Sequence, residues 1–273
     1  FYKRQLVHCV DLDLPAPVMV HDFVTTSRHV VFLDAPAVFD FEGFAAGGPM
    51  LSWKRESGAR LGVLPRGGDA SDVRWLEIPP CYVVHFLNAW SDGSTVNVDA
   101  CRLDKLDLGL ENDDGKLGDE NSYLTRWRID LDAGSVGEER IAELPGDFPR
   151  VSDAVAGLEH RYGYVASGAS GRQKGGEFDC IVKYDLARGS SQVHHFGEDH
   201  VCGEPVFAAD PDGRDEDDGW LLTYVIDRSD RSTEAVVLDA RNPADAPLAR
   251  VPMPRRLPFG FHGSWLPQQQ GRG

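Results

Sequence analysis

Three histidines of this sequence lie in surroundings that are unusually apolar for an imidazole. They are His21 in PVMVHDF, His85 in CYVVHFLNAW and His262 in PFGFHGSW. A charged imidazole is costly among such neighbours, and a neutral one needs a hydrogen-bond partner or a metal ion. Taken singly, each is better explained as a core histidine that is hydrogen-bonded to the backbone. His262 departs most from that interpretation, because Gly260 and Gly263 leave room for a ligand or a second backbone to approach closely.

The other six histidines are weaker candidates for chemistry. His194 and His195 are adjacent in the sequence, but neighbouring residues of a strand point to opposite faces, so both cannot easily bind one ion. The remaining four lie beside charged residues or near polar turns, namely His8, His29, His160 and His200. We assign no metal to these six.

The charge balance restricts the partners of the protein. The 28 Lys and Arg against 44 Asp and Glu give a net charge of 28 − 44 = −16. Nucleic-acid binding depends on clustered basic side chains, and no such cluster occurs, so no nucleic-acid partner is predicted. The acidic run at 210–219 lacks the spacing and the closing Glu of an EF-hand, so a solvated hairpin loop is favoured over a calcium site.

The cysteines and the hydropathy pattern bear on location. The five cysteines are odd in number and form no C-x-x-C pair, which favours a reducing compartment, with thiols used as small apolar residues. No apolar run approaches the roughly 18 residues of a membrane span. We therefore predict a cytoplasmic protein with no transmembrane segment, and peripheral membrane contact stays open.

Short strands are the elements that must position these residues. Runs rich in Val, Leu and aromatic residues recur between Gly, Asp, Pro and Ser turn signals, for example at 29–34, 81–90 and 219–227. Helical periodicity is confined to GEERIAEL at 137–144, where we expect a turn or two of helix. The pattern predicts an all-β fold, as a sandwich, barrel or propeller, with loops at 104–121 and 167–177.

Several motifs, taken together and in order, resemble the carotenoid cleavage oxygenase family. PVMVHDF resembles the family's second histidine motif. It is followed by GVLPR, CYVVHFLNAW, FPRV with HRYGY, GEPVF, EDDGWLLTYV and FGFHGSW. Each motif is weak alone, but the ordered set is specific and spans nearly the whole chain.

This resemblance implies a seven-bladed β-propeller with Fe(2+) on its axis, held by four histidines from four blades. Three of the four match His21, His85 and His262. The first family histidine would precede Phe1, and the chain starts without Met in a strand-like segment. We therefore expect residues 1–273 to be a single propeller domain that is truncated at its N-terminus. It would cover roughly the last five blades.

The family also implies glutamates that accept a hydrogen bond from the far nitrogen of each ligand histidine, which is the ring nitrogen that does not bind the metal. Glu204 in GEPVF matches one of them, although without the resemblance a surface turn carboxylate would be favoured. Asp147 stands in place of another, just before FPRV. Aspartate is one methylene shorter, so we expect it to approach its histidine, His85, more closely or to bridge through water. The third glutamate would precede Phe1.

The reaction implied by the resemblance is cleavage of a carbon–carbon double bond of a carotenoid or apocarotenoid with O2, giving aldehyde or ketone products. Four neutral imidazoles leave Fe(2+) its full charge and open coordination positions, so no side chain need act as acid, base or nucleophile. The partners would be O2 and an apolar polyene or stilbene. Candidate tunnel-lining residues, which could equally be blade core, are Phe23, Val84, Phe86 and Phe261.

Two other functions stay open at this point. One is a stilbene-cleaving dioxygenase or a retinoid-type isomerase on the same fold. The other is a propeller that serves only as a binding scaffold, against which the retention of three histidines and Glu204 speaks. A hydrolase has little support, because neither G-x-S-x-G nor H-E-x-x-H occurs.

Overall fold

β-strands make up nearly all the regular structure in a computed structural model of the chain, which describes residues 6–106, 121–168 and 177–267. The predicted all-β class is confirmed. Within these ranges the helical structure is one five-residue α-helix and three single 3-10 turns, at Arg55–Ser57, Ala70–Asp72 and Asp153–Val155. Most of the two predicted loops, 104–121 and 167–177, lies outside the described residues.

The first part of the chain forms one four-stranded sheet and a separate hairpin. In order, its elements are β1 (Phe23–Thr25), β2 (His29–Asp34), β3 (Ala37–Phe39), α1 (Phe41–Ala45), β4 (Leu51–Trp53), β5 (Ala59–Pro65) and β6 (Arg74–Ile78). Strands β1, β2, β5 and β6 pair in that order and antiparallel. Strands β3 and β4 pair only with each other among these elements.

The middle of the chain forms two sheets that share one long strand. Its strands are β7 (Tyr82–Asp92), β8 (Thr95–Leu103), β9 (Tyr123–Asp130), β10 (Ser135–Arg150), β11 (Tyr162–Ser167), β12 (Cys180–Asp185) and β13 (Ser190–His195). The first half of β10 completes the sheet of β7, β8 and β9. Its second half begins the sheet of β11, β12 and β13.

The prediction of helical turns at 137–144 is wrong, because these residues lie within β10. Gly137, Glu138 and Glu139 pair in register with Arg128, Trp127 and Arg126 of β9. The apolar spacing of GEERIAEL suits a helix locally. Pairing with β9, the preceding strand of the same hairpin, supplies the backbone hydrogen bonds of these residues. Strand pairing of this kind overrides a weak local helix preference.

The last sheet carries an interrupted edge. Its strands are β14 (His200–Cys202), β15 (Val206–Ala209), β16 (Gly219–Asp227), β17 (Thr233–Asp239) and β18 (Ala249–Pro252). Strands β14 and β15 pair with opposite ends of the same edge of β16, so residues 203–205 form a break between them. The acidic run at 210–219 is the loop of the β15–β16 hairpin, as predicted.

Successive sheets pack face to face in chain order. One core cluster joins the first sheet to the second and includes Val31, Leu61 and Trp127. A second cluster joins the second sheet to the third, and a third joins the third to the fourth. Four-stranded antiparallel sheets that stack in this way are the arrangement of propeller blades. The number of blades stays a prediction.

Four of the five cysteines contribute to these cores as buried thiols, namely Cys81, Cys101, Cys180 and Cys202. Burial raises the pKa of Cys81 and of Cys180 to about 12, so these thiols stay protonated and act as small apolar residues. In the ranges that the structure describes, every helix is too short or too polar to cross a membrane.

Candidate metal centre

The three candidate histidines come from three separate elements. His21 lies two residues before β1, His85 lies within β7, and His262 lies in the segment 256–267, which has no helix or strand. Strands β1 and β7 are each the first strand, and an edge, of their sheets. Because β1 contacts β7, the two strands bring their histidines to the same side of the stacked sheets.

The imidazoles of these residues converge on one point. One ring nitrogen each of His21, His85 and His262 lies within 4.8 Å of the other two. Nε2 of His85 is 3.1 Å from Nε2 of His262. The ring centroids of His21 and His85 are 5.2 Å apart, and those of His85 and His262 are 4.7 Å apart. Residues separated by up to 241 positions in the sequence (262 − 21) thus share one small volume.

Asp147 holds the far nitrogen of His85. Its Oδ1 lies 2.8 Å from Nδ1 of His85 and also accepts a hydrogen bond from the backbone N–H of Phe148 at 2.8 Å. Both His85 and Asp147 are buried. The shorter side chain therefore reaches its histidine directly, as the first of the two arrangements expected for aspartate.

Close backbone packing makes this approach feasible. A Cβ atom on Gly146, the residue before Asp147, would lie 2.5 Å from the carbonyl oxygen of Ala166 and 2.6 Å from Cγ1 of Val165. Only glycine fits at such a distance. Gly146 thus lets β10 lie against β11 with Asp147 facing the histidines.

Glu204 holds the far nitrogen of His262. It lies in the break between β14 and β15, with Oε1 3.1 Å from Nδ1 of His262. Its Oε2 accepts a hydrogen bond from the backbone N–H of Gly263 at 2.7 Å. The carboxylate is buried and forms an ion pair with Arg150, whose Nε lies 3.0 Å from Oε1.

The electrostatics of the cluster differ from one histidine to the next. Burial disfavours the imidazolium of His85. The hydrogen bond and charge of Asp147, together with the charges of Asp22 and Glu204, outweigh it, so the pKa of His85 is raised. The pKa of His21 is lowered, first by partial burial and then by the charge of His85. A carboxylate on Nδ1 keeps the proton of a neutral imidazole there and leaves Nε2 as a lone pair.

This arrangement fits a metal ion. With protons held at Nδ1 by Asp147 and Glu204, the two Nε2 lone pairs of His85 and His262 would repel each other at 3.1 Å unless a cation or proton lay between them. Two nitrogens bound at about 2.0–2.1 Å to one ion, at an angle of about 90–109°, are about 2.8–3.4 Å apart. The observed spacing falls in that range, and a set of imidazoles suits iron, zinc or copper.

Comparison with known proteins identifies the family of the chain. A family model described as "Retinal pigment epithelial membrane protein" matches residues 2–267. The carotenoid 9,10(9',10')-cleavage dioxygenase of Crocus sativus is 32% identical over 96% of this chain. The carotenoid cleavage oxygenase of Mycobacterium tuberculosis is 32% identical over 94% of it. The chain belongs to the retinal pigment epithelial membrane protein family. The resemblance drawn from the motifs is confirmed.

A solved structure extends the match to the fold of this family. Pseudomonas brassicacearum lignostilbene dioxygenase superimposes on 97% of the chain with a TM-score of 0.90 at 29% identity. The fold is therefore the β-propeller type of these oxygenases. The chain spans 50% of the Crocus relative, 60% of the Mycobacterium relative and 58% of the lignostilbene dioxygenase.

The four tunnel candidates lie in two kinds of environment. Phe86 is buried in the core between the first two sheets, and Val84 packs against the same core. Phe23 and Phe261 are 59% and 75% exposed, and they are close in sequence to His21 and His262. Phe86 nevertheless lines a surface pocket together with Phe23. A role as tunnel lining stays a prediction for all four residues.

Sequence reasoning gave no role to Phe148 and Arg150, which contact the histidines or their carboxylate partners. The ring of Phe148 lies 5.0 Å from the ring of His85 and 5.4 Å from that of His262, measured between centroids. Arg150 contacts Glu204 and donates a hydrogen bond to the carbonyl of Gly263. Both belong to the family-like FPRV motif directly after Asp147, which was the available signal.

Proposed function

We propose that this chain forms part of an Fe(2+)-dependent dioxygenase, in which His21, His85 and His262 bind the iron. The enzyme would cleave a carbon–carbon double bond of a carotenoid or apocarotenoid with O2 to give aldehyde or ketone products. The observation that carries the proposal is the convergence of three imidazole nitrogens within 4.8 Å. The names of the relatives, which are carotenoid cleavage enzymes, support the same reaction.

The side chains of the site prepare it in a specific way. When bound, Fe(2+) supplies the reaction of O2 with an electron-rich double bond. Asp147 and Glu204 keep the protons of His85 and His262 at Nδ1 and fix the orientation of the rings. These two imidazoles are then neutral ligands, which leave the ion its full positive charge.

The substrate would be an apolar molecule. Phe23 and Phe261 present exposed aromatic surface next to His21 and His262. Burying that surface against a polyene would remove it from water, which is favourable, and would keep water from the reacting bond. A cytoplasmic location, with peripheral contact to the membranes in which polyenes dissolve, belongs to the same proposal.

A phenolic stilbene is a second candidate substrate. The observation that favours it is the TM-score of 0.90 with the lignostilbene dioxygenase, at 29% identity. A stilbene also has an electron-rich central double bond and two apolar rings. The iron site would be unchanged, so the two candidates differ only in the shape and polarity of the substrate cavity.

The test is to assay the complete protein, loaded anaerobically with Fe(2+), on an apocarotenoid and on a hydroxystilbene under ¹⁸O2. Aldehyde products that carry ¹⁸O, identified by mass, are the expected result with one of the two substrates. The His85→Ala variant is expected to form none. An iron-loaded protein that cleaves neither substrate and binds an apolar ligand without turnover would instead favour a binding scaffold.

A further inference from the structure

The end of β10 contacts both histidine–carboxylate pairs at once. Asp147 binds His85, and Arg150 forms an ion pair with Glu204, the partner of His262. Between them, the ring of Phe148 lies against both imidazoles. One segment of four residues therefore touches every part of the cluster except His21.

A bulge in β10 allows this arrangement. In a regular strand, residues three positions apart, such as Asp147 and Arg150, point to opposite faces. Here the pairing of β10 with β11 shifts register between these two residues. Phe148 has a φ of +52°, in the left-handed region that residues with a Cβ rarely adopt. An extra residue in the strand re-aims the side chains that follow it, which turns Arg150 toward Glu204.

The segment that carries His262 depends on Arg150 and Glu204 for its anchoring. Residues 258–267 contain no helix or strand. The hydrogen bonds that the structure describes for them run to three side chains only, those of His85, Glu204 and Arg150. Glu204 accepts from Gly263 N–H, and Arg150 donates to the carbonyl of the same residue. The backbone next to His262 is thus held on both of its polar groups.

We propose that Arg150 is a positioning residue for the metal ligand His262. Its guanidinium fixes the Glu204 carboxylate and the Gly263 carbonyl together, so that Nε2 of His262 faces Nε2 of His85. The planar fork of arginine suits this double contact, and the single ammonium of lysine does not reproduce it. This inference rests on the proposed metal centre, and it assigns to the chain a determinant of the centre's geometry other than the carboxylates.

Cobalt(II) binding to the complete protein tests the proposal, since the visible spectrum of the ion reports its ligand geometry. Arg150→Met is expected to weaken cobalt affinity by about 10-fold, at the low end of the effect of ligand-orienting partners, and to change the spectrum. Arg150→Lys is expected to give an intermediate loss, and it carries the test if Arg150→Met does not fold. Arg60→Met is the matched control, because Arg60 is part-buried and paired with Asp34 in the first sheet. It is expected to leave affinity and spectrum unchanged.

Crystal structures of the metal-free variants separate this inference from the proposed function. Displacement of His262 relative to His85 in Arg150→Met or Arg150→Lys supports the positioning role, even if the unaltered protein binds no cobalt, which would refute only the metal centre. His262 at its original place in both variants would overturn the inference. So would cobalt affinity and spectrum equal to those of the unaltered protein in both.

Discussion

Nε2 of His85 lies 3.1 Å from Nε2 of His262, although 177 residues separate them in the sequence. Each ring has its other nitrogen against a buried carboxylate, of Asp147 in one case and of Glu204 in the other. The two lone pairs are consequently aimed at one point beside His21. This symmetry of two histidine–carboxylate pairs is the main structural argument for a metal centre.

The carboxylates are expected to control metal affinity. Asp147→Asn and Glu204→Gln should each weaken iron retention by about 10- to 100-fold, because the neutral amides hold the Nδ1 proton less firmly. Iron content after dialysis measures the effect. Asp34→Asn is the control, since Asp34 is also buried and paired but lies in the first sheet. If Asp147→Asn and Glu204→Gln both retain as much iron as the unaltered protein and the control, Asp147 and Glu204 have only a structural role.

The close approach of β10 and β11 is expected to be sensitive to a single methyl group. Gly146→Ala would place Cβ 2.5 Å from the Ala166 carbonyl oxygen. The overpacking should lower the free energy of unfolding by about 1–3 kcal/mol, and the displacement of Asp147 should also weaken metal binding. Gly137→Ala in the same strand, where the nearest atom is 4.0 Å away, should change neither quantity appreciably. Urea denaturation of both variants measures the difference, and equal stabilities would argue against the packing.

Phe148 is expected to stabilise the core and also to fix the positions of His85 and His262, which its ring contacts. Phe148→Ala should lower the free energy of unfolding by about 3–5 kcal/mol, as for other buried phenylalanines. Phe178→Ala is the matched control, because Phe178 is buried in the same core and contacts the ring of Phe148. Both variants should lose similar stability, whereas only Phe148→Ala should alter the cobalt(II) spectrum. A spectrum altered equally by both would mean that Phe148 acts only through general packing.

The sequence singled out the three histidines that the structure brings together, because their local surroundings carry the signal. Their role as metal ligands stays a prediction. His21, His85 and His262 each stand among apolar residues within motifs that resemble one family. The strands could also be predicted, since runs of apolar residues are separated by turn residues along the chain. Residues 137–144 were misassigned because their local apolar spacing was given more weight than their pairing with β9 in a hairpin.

Long-range contacts account for what sequence reasoning missed. Nothing local to Arg150 indicates that it meets Glu204 and Gly263, which lie 54 and 113 residues away. The left-handed backbone of Phe148 is also unexpected, because that conformation is typical of glycine. It accompanies the bulge in the pairing of β10 with β11. The carboxylates could be proposed only from the family resemblance, and Glu204 would otherwise be assigned to a surface turn.

The most direct test of the central claim is a crystal structure of the complete, anaerobically iron-loaded protein with anomalous data collected at the iron edge. One iron peak is predicted between His21, His85 and His262, with a nitrogen of each ring at about 2.0–2.3 Å, the range of metal–imidazole bonds. An iron-loaded protein with no peak at this position, or with its iron bound by other residues, would contradict the account.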